Sequence, residues 1–166
     1  MSDLHPVFAY TDGGLLGSNP SSYGGTYAWC LVNQQGQMTI DHVMWITPGE
    51  LGLPTITNNH TELLAVIDVL EVLPFGWRGT LYSDSQVTLQ RFGNPRAALN
   101  NVPPPLIRRL RVVQQKHPHL KTVLLQGHPT SEELRAGIGR SGRAVSKFNA
   151  WCDYLCTKEA ERHLSC

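Results

Sequence analysis

What most constrains this chain is a change of hydrophobic period in its first half. Across residues 60–73 the apolar side chains recur as Leu63, Leu64, Val66, Ile67, Leu70 and Leu73, which is helical spacing with a wide stripe. On either side lies a short apolar run of strand character, residues 7–11 upstream and 80–83 downstream, and each run delivers an aspartate, Asp12 and Asp84. A strand, a crossover helix and a second strand of the same sheet form a right-handed unit with parallel strands. If those strands are neighbours, Asp12 and Asp84 stand at adjacent carboxyl ends, where open α/β sheets build their sites.

The rest of the chain fills in around that unit. Gly13-Gly14 punctuates the first strand, and residues 15–22, rich in Gly, Ser, Asn and Pro, read as a loop. Residues 26–32 and 38–46 are two further strands joined by the turn Asn33-Gln34-Gln35-Gly36, so strands 1–3 form an antiparallel meander. Asn59 suits the N-cap of the first helix, with Glu62 three residues later as in a capping box. Residues 85–92 form a short helix, Pro104 and Pro105 open another that runs to Lys116, and residues 121–126 are a fifth strand. Residues 128–146, opened by Gly127-His128-Pro129 and containing Gly137, Gly139 and Gly142, read as a long mobile loop. A final helix over residues 146–162 packs through Phe148, Trp151, Cys152, Leu155 and Cys156, and places Asn149 and Asp153 on one face. The expected fold is α/β: a five-stranded mixed sheet, with strands 4 and 5 parallel to strand 1, flanked by helices. At 166 residues this is one domain, with its core over residues 6–161.

With 14 basic and 13 acidic residues the chain has no general basic field, so any nucleic-acid binding rests on local patches. Cys30, Cys152, Cys156 and Cys166 do not make the dense pattern of a secreted scaffold, and Cys152 and Cys156 suit core packing better than a zinc site. No basic-then-apolar leader and no apolar run near 18 residues is present, so the expected setting is cytoplasmic, with no membrane partner.

Four carboxylates stand out by position: Asp12, Glu62, Asp84 and Asp153. Each has a structural role open to it as well, Asp12 in a turn, Glu62 in the capping box, Asp84 as an N-cap and Asp153 as a solvated charge. Converging carboxylates repel one another and call for cations. An all-oxygen donor set suits Mg²⁺ or Mn²⁺, and two such ions about 3.5–4 Å apart serve phosphodiester hydrolysis.

In these residues the chain resembles the type 1 ribonuclease H family. Tyr10-Thr11-Asp12-Gly13-Gly14 looks like the family's first motif, Thr57-Asn58-Asn59-His60-Thr61-Glu62-Leu63 its second, Tyr82-Ser83-Asp84-Ser85-Gln86 its third and Asn149-Ala150-Trp151-Cys152-Asp153 its fourth, in the family's order. The resemblance implies a ribonuclease H-like fold and a monomeric endonuclease, with no protein partner, that cleaves the RNA strand of an RNA/DNA hybrid to 5′-phosphate and 3′-hydroxyl ends. It implies two Mg²⁺ ions, with Mn²⁺ as a substitute: Asp12 shared by both, Glu62 and Asp84 on the second, Asp153 on the first. His128 matches the family's loop histidine, which assists proton movement or product departure. Asn19, Asn58, Asn59 and Gln86 match positions that read the minor groove of the hybrid, where amides reach the 2′-hydroxyl. Thr57 resembles a residue that contacts a DNA phosphate.

Two departures stand beside the matches. Residues 96–105, where some members carry a Lys- and Trp-rich protrusion, hold no lysine and three prolines. Arg108, Arg109 and Arg111 either compensate or are a solvated helix face. The loop before Asn149 is longer than the family's and carries Arg135, Arg140, Arg143 and Lys147, as a phosphate-contacting flap or as a passive loop. Two other functions remain open: a nuclease of this fold acting on DNA or junctions, and a hybrid-binding module without catalysis.

Overall fold

The computed structural model describes residues 5–164. Its single sheet runs in the order β3-β2-β1-β4-β5. The meander consists of β1 (Pro6–Leu16), β2 (Gly24–Asn33) and β3 (Met38–Ile46), while β4 (Thr80–Ser83) is parallel to β1 and β5 (Lys121–Leu124) is parallel to β4. The helices are α1 (Asn58–Val72), α2 (Gln86–Gly93), α3 (Pro104–Lys116), α4 (Ser131–Ala136) and α5 (Lys147–Leu164). The expected mixed sheet is therefore present with its expected pairing. No helix among the described residues is long and apolar enough to cross a membrane. Cys166 lies outside the described residues.

Strand β2 is buried along its whole length because both faces of the sheet are covered there. Tyr27, Trp29 and Leu31 point into one core with α1 and α3; Ala28, Cys30 and Val32 point into a second core with α5. Helix α1 lies between sheet and α3, so Leu63, Leu64, Val66, Ile67 and Leu70 are all buried. That explains its wide apolar stripe.

Three expectations need correction. First, β1 does not stop at Gly13-Gly14; it pairs with β2 through Leu16. The glycines serve close approach. A Cβ on Gly13 would sit 2.5 Å from Thr61 Oγ1 and 2.6 Å from the Glu62 nitrogen. Only a residue without a side chain lets the start of α1 rest on β1. Second, the N-cap of α1 is Thr57 rather than Asn59, and the third helical position of its capping box is held by His60 rather than Glu62. Third, residues 128–146 are not featureless. Thr130 and Glu133 form a capping box that starts α4, and Ile138 pairs with Ala144. The glycines masked a Thr-x-x-Glu signal that was visible in the sequence.

Because Gly13 sets the distance between β1 and α1, Gly13→Ala overpacks this contact. We expect a loss of about 2 kcal/mol, seen as a melting temperature lower by roughly 4–8 °C in calorimetry. Gly36→Ala, at an open turn with positive φ, is expected to cost about 1 kcal/mol through the backbone alone. An unchanged melting temperature for Gly13→Ala would show that the two elements are not in contact.

Candidate active site

Pairing between β1 and β4 ends at Tyr10 opposite Tyr82, so Asp12 and Asp84 lie just past the carboxyl end of the parallel pair. The N-cap of α2 is Ser85, whose side chain accepts from Thr88 N, and this frees Asp84 from a capping role. Thr57 does the same for Glu62 at α1. The capping role open to Glu62 and Asp84 is thus filled by a neighbour. One oxygen from each of Asp12, Glu62 and Asp84 forms a group in which all lie within 4.8 Å of one another.

Asp153 comes from the other face of the sheet. Its helix is docked on β1 by Asn149, whose Nδ2 donates to the Thr11 carbonyl at 3.1 Å. Asp153 lines the same cavity, of about 460 Å³, as the three clustered carboxylates, but its own oxygens stand outside the 4.8 Å group. Gly127 and His128 line it as well. A Cβ on Gly127 would sit 2.6 Å from Asp84 Oδ2, so the missing side chain lets this backbone lie against the carboxylate. His128 follows in the left-handed region, at φ 49°, with its side chain exposed.

The groups expected to meet substrate do not all reach that cavity. Asn58 lines it, and its backbone N–H donates to Asn19 Oδ1 at 3.4 Å. Asn19, Asn59 and Gln86 are exposed and do not line it. Thr57 lines a separate cavity of about 440 Å³ with His60, Asn101 and Pro103. His60 ties the segments of this second cavity together: Thr57 N donates to its Nδ1 at 2.9 Å, and its Nε2 bonds the Asn101 carbonyl at 2.6 Å. Neither His60 nor Asn149 was marked as a positioning group in the sequence, since a histidine in a capping box and an asparagine on a helix carry no distinctive pattern. Of the three helix arginines, Arg109 pairs with Glu71 at 2.7 Å and Arg111 reaches the Pro95 carbonyl, so both are engaged within the domain.

Electrostatics set the chemistry of the cluster. Asp12 and Glu62 are 4% and 3% exposed. Burial raises the Asp12 carboxyl well above the carboxylate range, and repulsion from Glu62, Asp84 and Asp153 adds to it. Burial, then Asp84, pushes Glu62 up to about 8, against hydrogen bonds from Asp12, Gly13 and Asn58 that favour the charge. Asp84 is raised by burial, opposed first by the charge of His128. Glu62 Oε2 is buried with no hydrogen-bond partner. An orphaned carboxylate oxygen among acidic neighbours is what a divalent cation satisfies, and the all-oxygen donor set fits a hard ion.

The sign of the pH dependence follows. Glu62 rises from an ordinary value of 4.5 to about 8 on folding, so between these values the folded chain holds more protons than the unfolded one. Stability without metal falls as pH rises through that window. Thermal scans from pH 5 to pH 8 without divalent ions are expected to show a falling melting temperature, and Asp84→Asn to reduce the fall. Saturating Mg²⁺ is expected to raise the melting temperature by about 5 °C or more at pH 8 and by less at pH 5. A metal response equal at both pH values would contradict the assignment of these carboxylates to a cation.

No protein-family model matches the chain, and no curated protein matches it in sequence. Solved structures do match. Ribonuclease H1 of the halophilic archaeon Halobacterium salinarum superposes with a TM-score of 0.66 at 19% identity, over 94% of this chain and 98% of that one. The compost-derived LC11 ribonuclease H1, in complex with an RNA/DNA hybrid, gives 0.67 at 17% identity over 95% and 98%. The N-terminal ribonuclease H domain of Mycobacterium tuberculosis rv2228c gives 0.64 at 13% over 96% and 97%. Likeness at these identities speaks for architecture, and on that ground the chain has the ribonuclease H-like fold along nearly its whole length.

Proposed function

We propose that this chain is a divalent-metal-dependent endonuclease that hydrolyses the RNA strand of RNA/DNA hybrids, leaving 5′-phosphate and 3′-hydroxyl ends. The observation that carries the reading is the group of Asp12, Glu62 and Asp84 oxygens within 4.8 Å at the carboxyl ends of a ribonuclease H-like sheet. The likeness to a protein crystallised with an RNA/DNA hybrid supports the substrate class.

Asp12, Glu62, Asp84 and Asp153 would hold two Mg²⁺ ions, or Mn²⁺ in their place. When bound, the ions supply charge neutralisation at the phosphodiester and an activated water for in-line attack. The chain's own groups do the rest. Asn58, at the cavity wall beside Glu62, offers an amide to the ribose 2′-hydroxyl, the group that separates RNA from DNA. Asn19, Asn59 and Gln86, all exposed, would extend that contact along the minor groove. Thr57, at the amino end of α1, meets a phosphate of the DNA strand. His128, which lines the same cavity as Asp84 and is exposed, would move a proton to the departing 3′-oxygen.

Matched RNA/DNA, RNA/RNA and DNA/DNA duplexes, incubated with Mg²⁺ and with Mn²⁺, test the reading. Hybrid alone should be cut, in its RNA strand. Asp12→Asn should lower kcat by about 10³-fold or more, and His128→Ala by about 10²-fold. Chelation of divalent ions should abolish cleavage reversibly. DNA/DNA cut as readily as hybrid would favour a DNA or junction nuclease, and hybrid bound without cleavage would favour a binding module.

A further inference from the structure

The long segment between β5 and α5 is tied down by one carboxylate. Glu133, in α4, accepts from Thr130 N at 3.0 Å, Gln126 Nε2 at 2.8 Å and Arg140 Nη1 at 3.1 Å, and also from the Arg140 backbone nitrogen. These donors, led by Thr130, Gln126 and the Arg140 backbone, hold its carboxyl down at about 2, so the knot stays charged throughout the neutral range. Gln126 is the other half. It is buried, its Oε1 accepts from Ser141 N at 2.9 Å and Ser141 Oγ at 2.7 Å, and its backbone N–H reaches the Ala144 carbonyl at 3.0 Å. Gly139 packs so closely on the Gln126 amide that a side chain there would collide with it.

The place of this knot in the chain gives it consequence. Gln126 immediately precedes Gly127, which lies against Asp84, and His128, which lines the same cavity. Leu125 N donates to the Ser83 carbonyl at 2.8 Å, one residue before Asp84, so the strand end that leads into the knot is paired with the strand end that leads to Asp84. His128 is held in a left-handed backbone conformation, which a non-glycine residue adopts only when its surroundings impose it. The sequence on both sides of His128 is therefore fixed by bonds that converge on Glu133, upstream through Gln126 and downstream through Thr130.

We infer that Glu133 is a positioning residue: through Gln126 and Thr130 it folds residues 126–145 into a rigid arm that sets His128 beside Asp84. The kinetic part of this inference rests on the function proposed above. The arm's basic residues Arg135 and Arg143 are exposed, while Arg140 is committed to the knot itself. The knot thus gives the segment expected as a loop an internal set of bonds.

Two measurements on the full chain test the inference separately. Hydrogen exchange needs no activity: Glu133→Ala should speed exchange of amides in residues 126–145 by about tenfold or more, while α1 and β2 stay protected and the melting response to Mg²⁺ persists. Kinetically, Glu133→Ala should lower kcat on hybrid by about 10- to 100-fold with little change in KM, and Glu133→Gln, which keeps one acceptor oxygen, should lose less. Added to His128→Ala, Glu133→Ala should cause no further loss of kcat. Retained protection in Glu133→Ala overturns the inference. So does an unchanged kcat despite an opened arm, or a full additional loss on top of His128→Ala. Should the wild type cleave no hybrid, the proposed function fails by itself, and the exchange result alone decides whether Glu133 builds the arm.

Discussion

Bringing three carboxylates within 4.8 Å of one another in a buried place is the constraint on which the rest of the fold depends. Each would lower its energy by moving toward water or by taking a proton, so the arrangement works against folding unless other contacts overdetermine it. The overdetermination comes from α1. Its apolar residues are buried on the sheet side and on the α3 side, so the helix cannot slide along β1 or tilt away without exposing Leu63, Leu64, Ile67 and Leu70. Glu62 is carried on that helix and goes where it goes. Gly13 completes the device by giving up the side chain that would have kept the helix at an ordinary distance.

A division of labour between neighbours in sequence makes the carboxylates available. Helix starts need an oxygen to satisfy free N–H groups, and aspartate or glutamate at the start of a helix is usually consumed there. In this chain the hydroxyls of Thr57 and Ser85 do that work for α1 and α2. Asp84 and Glu62 keep their oxygens for the cavity. The pattern also explains a misreading that local rules invite. Asn59 followed by Glu62 satisfies the capping-box spacing as well as Thr57 followed by His60 does, and spacing alone cannot rank them. The ranking is made by burial, because the Asn101 carbonyl waits for the His60 ring from a segment 41 residues away.

How far the fold could be read from the sequence follows the same line. The crossover from Asp12 to Asp84, the meander and the apolar faces of α1, α3 and α5 were legible, since each rests on a period repeated over many residues. That Asp12, Glu62, Asp84 and Asp153 line one cavity was legible because each falls at the end or on one face of such an element. What could not be read depends on contacts distant in sequence. Gly13-Gly14 ends a strand by local preference, yet β1 continues because the approach of Thr61 and the pairing of Gly14 with Thr26 both need small residues in an extended backbone. The glycines of residues 137–142 suggest a mobile loop, yet Glu133 and Gln126 gather them. In both places a tertiary contact overrules a local propensity.

The two sides of the site consequently have different foundations. Asp12, Glu62 and Asp84 belong to one crossover unit and are placed by the larger core, whose packing is continuous. Asp153 and His128 arrive from elements beyond it. Asp153 depends on the docking of α5, which Asn149 fixes at Thr11 and which Trp151 to Asp41 and the stacking of Trp45 on His163 extend to the edge strand β3. His128 depends on the polar knot around Glu133. Apolar packing tolerates small changes by repacking, whereas a polar knot loses its geometry when one member is removed. The part of the site that gathers negative charge is therefore set by the more forgiving kind of interaction. The imidazole is set by the less forgiving one, so its position is the more sensitive to a single distant substitution.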